Sequence, residues 1–208
     1  MSSMINEKLS FILNPVINKL NAISPAFIKR LSDLFWIKTA KFQRSMKNSG
    51  LALRLYSLKD LPALHSLFNL EILLRANGAR HRAFSSLLLF CKWMITSFQV
   101  FYLIENWEND GGRIVGFVGL YNIKIGKTLF LSIGIFKPED RGRGYGKKSI
   151  ELLLDSLKKY SVVETVCVEI LKTNVASLSF FKKLGFEVYR QYKDRFLLEK
   201  HIEKRSRR

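Results

Sequence analysis

Arg141, Gly142, Arg143, Gly144, Tyr145 and Gly146 are the residues whose types and spacing most directly imply chemistry in this chain. Closely spaced glycines let a backbone curl until its N–H groups converge on an anion. The hexad follows an apolar run at residues 128–136, which reads as a strand. It precedes residues 147–160, where Ile150, Leu152, Leu153, Leu154 and Leu157 recur at helical spacing. A strand, a glycine turn and a helix N-terminus together make an anion cradle, because the helix dipole adds positive potential to the converging amides. A phosphorylated ligand is expected there. Two familiar phosphate loops are excluded by spacing. The P-loop requires Gly, four residues, then Gly-Lys-Ser/Thr. Here Gly146-Lys147 is followed by Lys148, and Arg141 stands five residues before Gly146. The dinucleotide fingerprint requires a third glycine where Lys147 stands.

The remaining pattern, Arg-x-x-Gly-x-Gly after a strand, resembles the pyrophosphate loop of the GNAT acetyltransferase superfamily. A second motif strengthens the resemblance. Residues 163–171 read as another Val/Ile-rich strand, followed by Asn174, Ser177, Phe180, Phe181, Lys182, Lys183, Leu184, Gly185 and Phe186. That is similar to the family's closing pattern of an Asn at a helix start, an aromatic pair and Lys-Leu-Gly-Phe. Gly185 suits a helix C-cap. The two motifs stand in the family's order, and the resemblance spans residues 50–200.

The resemblance implies an α+β fold: a mixed, mostly antiparallel sheet flanked by helices on both faces. It implies acetyl-coenzyme A as co-substrate. Amides of residues 142–147 would hold the diphosphate, with Arg141, Arg143 and Lys147 adding charge. Backbone groups of Gly134, Ile135 and Phe136 would meet the pantetheine and the thioester carbonyl where the strand splays from its neighbour. Asn174 would add a polar contact to the cofactor, although it serves equally as a helix N-cap. Phe181 stands where many members carry a tyrosine that protonates the departing thiolate. Phenylalanine cannot donate. Tyr121 and Tyr145 are the alternatives, and weak or absent turnover is a third.

Acyl transfer to an amine also needs a proton acceptor. Glu169 interrupts the apolar residues Val166, Val168 and Ile170 on the opposite strand face, five residues before Asn174. Its position resembles that of the general base proposed for N-terminal protein acetyltransferases of the superfamily. A buried carboxylate with a raised pKa is expected, or else a structural ion pair with a nearby Lys or Arg. On the acceptor side, the loop between the first two helices carries Arg75, Arg80, His81 and Arg82. Arg80 and Arg82 are expected to favour an acceptor bearing carboxylate or phosphate. The reading is direct acetyl transfer to a primary amine, a protein N-terminus or a small amine. The alternatives are a coenzyme A-binding module with little turnover, and a membrane- or ribosome-associated factor.

The elements that must position these residues follow from periodicity. Residues 51–58 fit a first strand. A helix starts at Asp60-Leu61-Pro62 and continues past Leu73 to a stop at Asn77-Gly78. A second helix covers 84–94, and a strand covers 99–106. Asn109-Asp110-Gly111-Gly112 signals a hairpin into a strand at 114–123. The last strand or hairpin occupies 186–198. Residues 84–104 are apolar enough to raise the question of a membrane span, but Lys92, Gln99 and several hydroxyl residues argue for a buried helix plus a strand.

Of 208 residues, 48% are hydrophobic, which excludes wholesale disorder and allows one domain with a real core. Cys91 and Cys167 lie in apolar runs and read as core thiols of a reduced, cytoplasmic protein. Three scattered histidines indicate no metal site. The net charge of +18 attracts polyphosphate ligands generally. Residues 1–47 read as a basic amphipathic helical extension broken at Pro15 and Pro25, able to lie on an anionic membrane surface or to pack on protein. Residues 48–200 form the acyltransferase domain and 201–208 a basic tail. No DNA partner is expected.

Overall fold

The computed structural model describes residues 42–48, 50–68, 86–108, 112–160 and 162–202. Among the described residues, eight strands and four α-helices follow one another as β1 (Ser45–Asn48), β2 (Leu51–Leu55), α1 (Leu61–Phe68), α2 (Leu87–Ser97), β3 (Val100–Asn106), β4 (Arg113–Lys124), β5 (Thr128–Ile135), α3 (Tyr145–Lys159), β6 (Thr165–Leu171), α4 (Val175–Lys183), β7 (Glu187–Gln191) and β8 (Arg195–His201). The strands form one sheet in the order β1-β2-β3-β4-β5-β6-β8-β7. Every pairing is antiparallel except β5 with β6. This is the α+β, mostly antiparallel sheet expected from the sequence.

The sheet is apolar on both sides because its central strands carry unbroken apolar runs. On β3, Val100, Tyr102 and Ile104 face one core and Phe101 and Leu103 the other, as the two-residue strand period requires. The first core is closed by α3, whose Ile150, Leu153 and Leu157 form a buried stripe at helical spacing. Each such aliphatic side chain contributes about 1.5–3 kcal/mol relative to exposure. The second core is closed by α1 and α2 through Leu64, Phe68, Phe90 and Met94. Helices therefore cover both faces.

Caps set the helix starts. Ser86 Oγ accepts from Leu89 N–H at 3.3 Å to open α2. Asn174 Oδ1 accepts from Ser177 N–H at 3.1 Å to open α4, which ends at Gly185 in the left-handed region (φ +77°).

Several boundaries differ from the sequence reading, and three of them bear on the site. Ser45–Asn48 is a strand, paired antiparallel with β2 and burying Met46, so the 47/48 boundary falls inside a sheet element. Its segment Ser-Met-Lys-Asn has no β-branched residue to announce it. α3 begins at Tyr145, two residues earlier than the apolar periodicity indicates, because Gly144 supplies the cap. α2 ends at Ser97 rather than at residue 94. The apolar stretch around residues 86–106 divides into α2 and β3, and among the described residues no helix is long and apolar enough to cross a membrane. The extension at residues 1–41, the acceptor-side loop with Arg75, Arg80, His81 and Arg82, and the tail at 203–208 lie outside the described residues.

Candidate active site

The site is organised by a strand pair that opens. β5 and β6 pair in parallel only at Thr128↔Thr165, Leu129↔Val166 and Phe130↔Cys167. Beyond Phe130 and Cys167 the ladder stops. Ser132 and Glu169, two residues further along each strand, stand on either side of the opening. β5 nevertheless stays paired with β4 as far as Ile135. One edge of its C-terminal half is therefore left without a strand partner.

Antiparallel pairing determines which groups that edge presents. Phe136 N–H donates to Val115 O at 3.0 Å. Paired groups alternate along an antiparallel ladder, so Gly134, opposite Phe117, also turns its backbone toward β4. Ile135 turns the other way, and its carbonyl accepts a 3.4 Å hydrogen bond from Arg141 Nη2. Of the three residues expected to offer backbone groups at the opening, only Ile135 does so. The backbones of Gly134 and Phe136 are committed to the sheet. Gly134 has a packing role instead, since a Cβ there would lie 2.5 Å from the Phe117 ring.

The glycine loop has the form expected. Gly142 (φ +73°) and Gly144 (φ +82°) occupy the left-handed region, and no atom lies within 4 Å of where a Cβ would project from either. The first intrahelical bond of α3 runs from Lys148 N–H to Gly144 O at 3.0 Å. The amides of Tyr145, Gly146 and Lys147 thus have no partner in the helix, and they point out of its N-terminus. Arg141, Arg143 and Lys147 are exposed around this end. Gly146 is packed: a Cβ there would come 3.4 Å from the Phe180 ring, which holds α4 against the first turn of α3.

Two contacts that sequence reasoning missed hold the loop in place. Asp140, only 1% exposed, accepts a bidentate pair from Arg113 at 2.6 and 2.7 Å. The guanidinium holds the Asp140 carboxyl below the usual carboxylate range. Asn106 Nδ2 donates to the Tyr145 hydroxyl at 2.8 Å inside the core. Tyr145 is 4% exposed, so its side chain is a structural anchor rather than a proton donor at the opening, and only its amide faces the loop. The partners are 27 and 39 residues apart, which leaves no local signal.

The aromatic pair on α4 resolves unexpectedly. Phe181 is 5% exposed and packs edge-on against Phe186 at 5.1 Å between centroids, within the main core. Phe180 is the ring that approaches Gly146. Phe181 thus belongs to the core, and Phe180, one helical step away, is the ring beside the glycine loop. Asn174 carries the N-cap bond, which occupies its Oδ1.

Glu169 also departs from expectation. Its side chain is 36% exposed, and Oε2 accepts from Arg195 Nη1 at 3.1 Å. Arg195 also donates to both Asp194 carboxylate oxygens. The ion pair anticipated as an alternative is present, and the burial is not. The reason lies in the strand period: Val166, Val168 and Ile170 fill the core under α3, and residue 169 projects from the other face. There it borders a cavity of about 310 Å³ together with Tyr121, Ser132 and Arg195. Burial, with a smaller contribution from the Glu169 charge, pushes the Tyr121 hydroxyl up to about 12. Tyr121 is therefore a protonated phenol at neutral pH, in the same cavity as Glu169. The remaining wall is formed by Phe68, Trp93, Phe98 and Phe117, with Leu171.

An open parallel strand pair, a positive-φ glycine loop at a helix N-terminus and a carboxylate–phenol cavity are arranged as an acyl-transfer site would require. A family model described as an acetyltransferase (GNAT) domain matches residues 51–187, more than half of the chain, and the protein belongs to this family. It is an acetyltransferase, with acetyl-coenzyme A as its co-substrate.

Solved structures share the fold at low sequence identity. A domain from Methanocaldococcus jannaschii is 20% identical, with a TM-score of 0.65 over 73% of this chain and 97% of that one. Spermidine N-acetyltransferase from Vibrio cholerae, solved with CoA and spermine, is 19% identical, with a TM-score of 0.61 over 74% of this chain and 97% of that one. The Salmonella typhimurium acetyltransferase that modifies the N-terminal serine of ribosomal protein L7/L12 is 16% identical, with a TM-score of 0.60 over 76% and 99%.

Proposed function

We propose that the protein transfers an acetyl group from acetyl-coenzyme A to a primary amine by direct attack, with Glu169 taking the proton and Tyr121 protonating the departing thiolate. The observation that carries this reading is the position of Glu169 and Ser132 on either side of the β5–β6 opening, with Tyr121 in the same cavity. The amides at residues 142–147 would bind the diphosphate, with Arg141, Arg143 and Lys147 adding charge. Ile135 and the unpaired edge of β5 would orient the pantetheine and polarise the thioester carbonyl. The amine enters from the aromatic side. Its nitrogen forms a bond to the carbonyl carbon, the C–S bond breaks, and the amine proton leaves toward Glu169 directly or through water. Arg195 keeps the carboxylate aimed across the opening. The Tyr121 hydroxyl keeps its proton at neutral pH and so can donate a hydrogen bond to the departing sulfur, although a phenol raised to about 12 is a weaker acid than an ordinary thiol.

The vacancy left by Phe181 is the basis of the alternative reading, a coenzyme A-binding module with little turnover. Tyr121 supports the enzymatic reading by supplying a hydroxyl from β4 instead of α4. An acyl-cysteine relay has no support. Burial raises both thiols, Cys167 to about 12, so neither is a ready nucleophile.

The test is thiol release from acetyl-coenzyme A across an amine panel. Glu169→Gln should lower kcat more than tenfold and Tyr121→Phe about tenfold, each a loss of about 1.4 kcal/mol or more of transition-state stabilisation. Acetyl-coenzyme A affinity by calorimetry should stay within twofold in both. Wild-type turnover in both variants would overturn the assigned roles.

A further inference from the structure

β4 falls out of step with β5 immediately beside Tyr121. Tyr121 pairs with Phe130 and Lys124 with Thr128, so Asn122 and Ile123 together stand opposite Leu129 alone. Two residues against one make a β-bulge. Asn122 bears the conformational cost. Among the described residues it is the one non-glycine residue with a positive φ, +47°, a region that asparagine enters more readily than most L-residues.

The extra residue reconciles two demands. Tyr121 and Ile123 are two positions apart, and a regular strand would turn both to the same face. Here they face opposite ways. Ile123 packs against the first core, to which Val118 and Leu120 belong. Tyr121 lines the cavity on the other face, with Ser132 and Glu169. Without the bulge, either Ile123 leaves the core or Tyr121 turns away from the strand opening.

Gln99, between α2 and β3, grips β4 on both sides of Tyr121. Its N–H donates to Leu120 O at 2.8 Å, and its Oε1 accepts from Ile123 N–H at 2.7 Å. β3 begins at Val100, opposite Leu120, and offers no strand partner beyond it. The Gln99 side chain takes that place. The grip matters because Tyr121 also borders a second cavity of about 580 Å³, bounded by residues 95–99, 122–124 and Phe130. The ring has open space on two sides, and the backbone sets which side its Cα–Cβ bond favours.

Resting on the reading of Tyr121 as the donor to the departing sulfur, we infer that Gln99 and Asn122 are positioning residues for the reaction. Asn122 supplies the bulge that keeps Tyr121 on the face of Ser132 and Glu169, and Gln99 locks that bulge. Neither residue lines the cavity itself.

Two pairs of variants of the full chain test this. Gln99→Leu removes the acceptor, and Asn122→Val puts a β-branched residue in the left-handed region. Gln99→Glu keeps an acceptor oxygen, and Asn122→Gly keeps the backbone conformation without cost. With the best amine of the panel, each variant of the first pair should lower kcat about fivefold and leave the acetyl-coenzyme A KM within twofold. The second pair should hold kcat within twofold. In a Tyr121→Phe background Gln99→Leu should cost nothing further, because it acts through that hydroxyl. Tyrosine carrying carbon-13 at Cζ gives a direct readout by NMR. The Tyr121 signal, identified by its loss in Tyr121→Phe, should move in the first pair and stay in the second. Asn122 is exposed, so Asn122→Val decides the matter if Gln99→Leu does not fold. A Tyr121 signal unmoved by the first pair would overturn the inference, as would an equal kcat loss in the Tyr121→Phe background. If the signal moves as expected while Tyr121→Phe keeps wild-type kcat, or no amine turns over, the positioning of the ring stands and the donor reading fails. If Tyr121→Phe lowers kcat and the signal stays put, the donor reading stands and this inference fails.

Discussion

The glycine loop at residues 141–147 and the aromatic cavity meet at the β5–β6 opening, yet they are built by different means. The loop is backbone chemistry. Its function depends on two glycines in the left-handed region and on amides that a helix start leaves unpaired. Such features are encoded within a few consecutive residues. The cavity is side-chain chemistry, assembled from α1, α2, β4, β5, β6 and β8. No local spacing encodes it. One half of the site should therefore respond to backbone strain and to whatever seats the loop, and the other to the shape of individual side chains.

The largest effect should come from the seat of the loop. Arg113→Ala leaves the buried Asp140 carboxylate without its guanidinium, and an uncompensated buried charge costs about 3 kcal/mol or more. Asp140→Ala leaves the half-exposed Arg113 to turn into water, at a cost of about 1 kcal/mol. Denaturant midpoints at neutral pH would measure both. Equal costs would mean that Asp140 is less sequestered than its 1% exposure indicates. The pH dependence has a definite sign. The Asp140 carboxyl is lowered in the fold, so its stabilisation is complete above the ordinary carboxylate range near pH 4 and is lost as pH falls through the folded value. Arg113→Ala should remove that acid-side loss.

Next in size is Gly144→Val. A left-handed backbone costs an L-residue about 1–2 kcal/mol, more for a β-branched one. The space around Gly144 is open, so the penalty is conformational rather than steric. The acetyl-coenzyme A KM should rise about tenfold, equivalent to about 1.4 kcal/mol, with the acceptor KM within twofold. An equal rise in both constants would break the division between the two halves of the site.

How much of this could be read from sequence follows the same division. The loop, the helix it opens and the α4 motif were legible because glycine spacing and amphipathic periodicity are local. The opening itself came through resemblance, since nothing in the run Thr-Leu-Phe-Leu-Ser-Ile-Gly-Ile says that β6 leaves after Phe130. Which backbone groups face that opening depends on β4 register, which places Gly134 and Phe136 on the wrong side. Glu169 was found by its alternation with Val168 and Ile170. Alternation says which face it leaves, not what covers that face, and hence the mistaken burial. Phe180 and Phe181 differ by one helical step of about 100°, so the docking angle of α4 decides which ring reaches Gly146. The cavity was invisible as a cavity: Phe68 and Tyr121 are 53 residues apart, and of the two only Tyr121 stands out in the sequence, as a candidate proton donor.

Phe181→Tyr sharpens the comparison at a smaller scale. From sequence, a hydroxyl restored there should rescue acid catalysis. In the structure the ring is packed against Phe186, so the hydroxyl enters the core without a partner, at a cost of about 1 kcal/mol. The expected outcome is slightly lower thermal stability and kcat within twofold. A large gain in kcat would instead place residue 181 at the departing sulfur and displace Tyr121.

The smallest expected effect concerns the coupling between the two halves. In direct transfer the acetyl group passes from thioester to amine with no resting place on the protein, and Cys167 is the residue that could break this rule, since it lies on β6 at the last paired position before the opening. Its thiol is buried and hydrogen-bonds Glu199 Oε1 at 3.7 Å, and burial beside that carboxylate pushes it up to about 12. A raised thiol pKa means that the fold favours the protonated form. That preference is fully expressed below the unfolded thiol value near 8.5 and is lost as pH rises through the folded value. At pH 8.5 iodoacetamide should leave Cys167 unmodified in the native protein and label it in denaturant, as intact-mass measurement would register. Cys167→Ser keeps a donor toward Glu199 and should hold kcat within twofold. An acetylated Cys167, trapped by rapid quench with acetyl-coenzyme A alone, would replace direct attack with a two-step relay, and the cavity would then have to deliver its amine to β6 rather than to the cofactor.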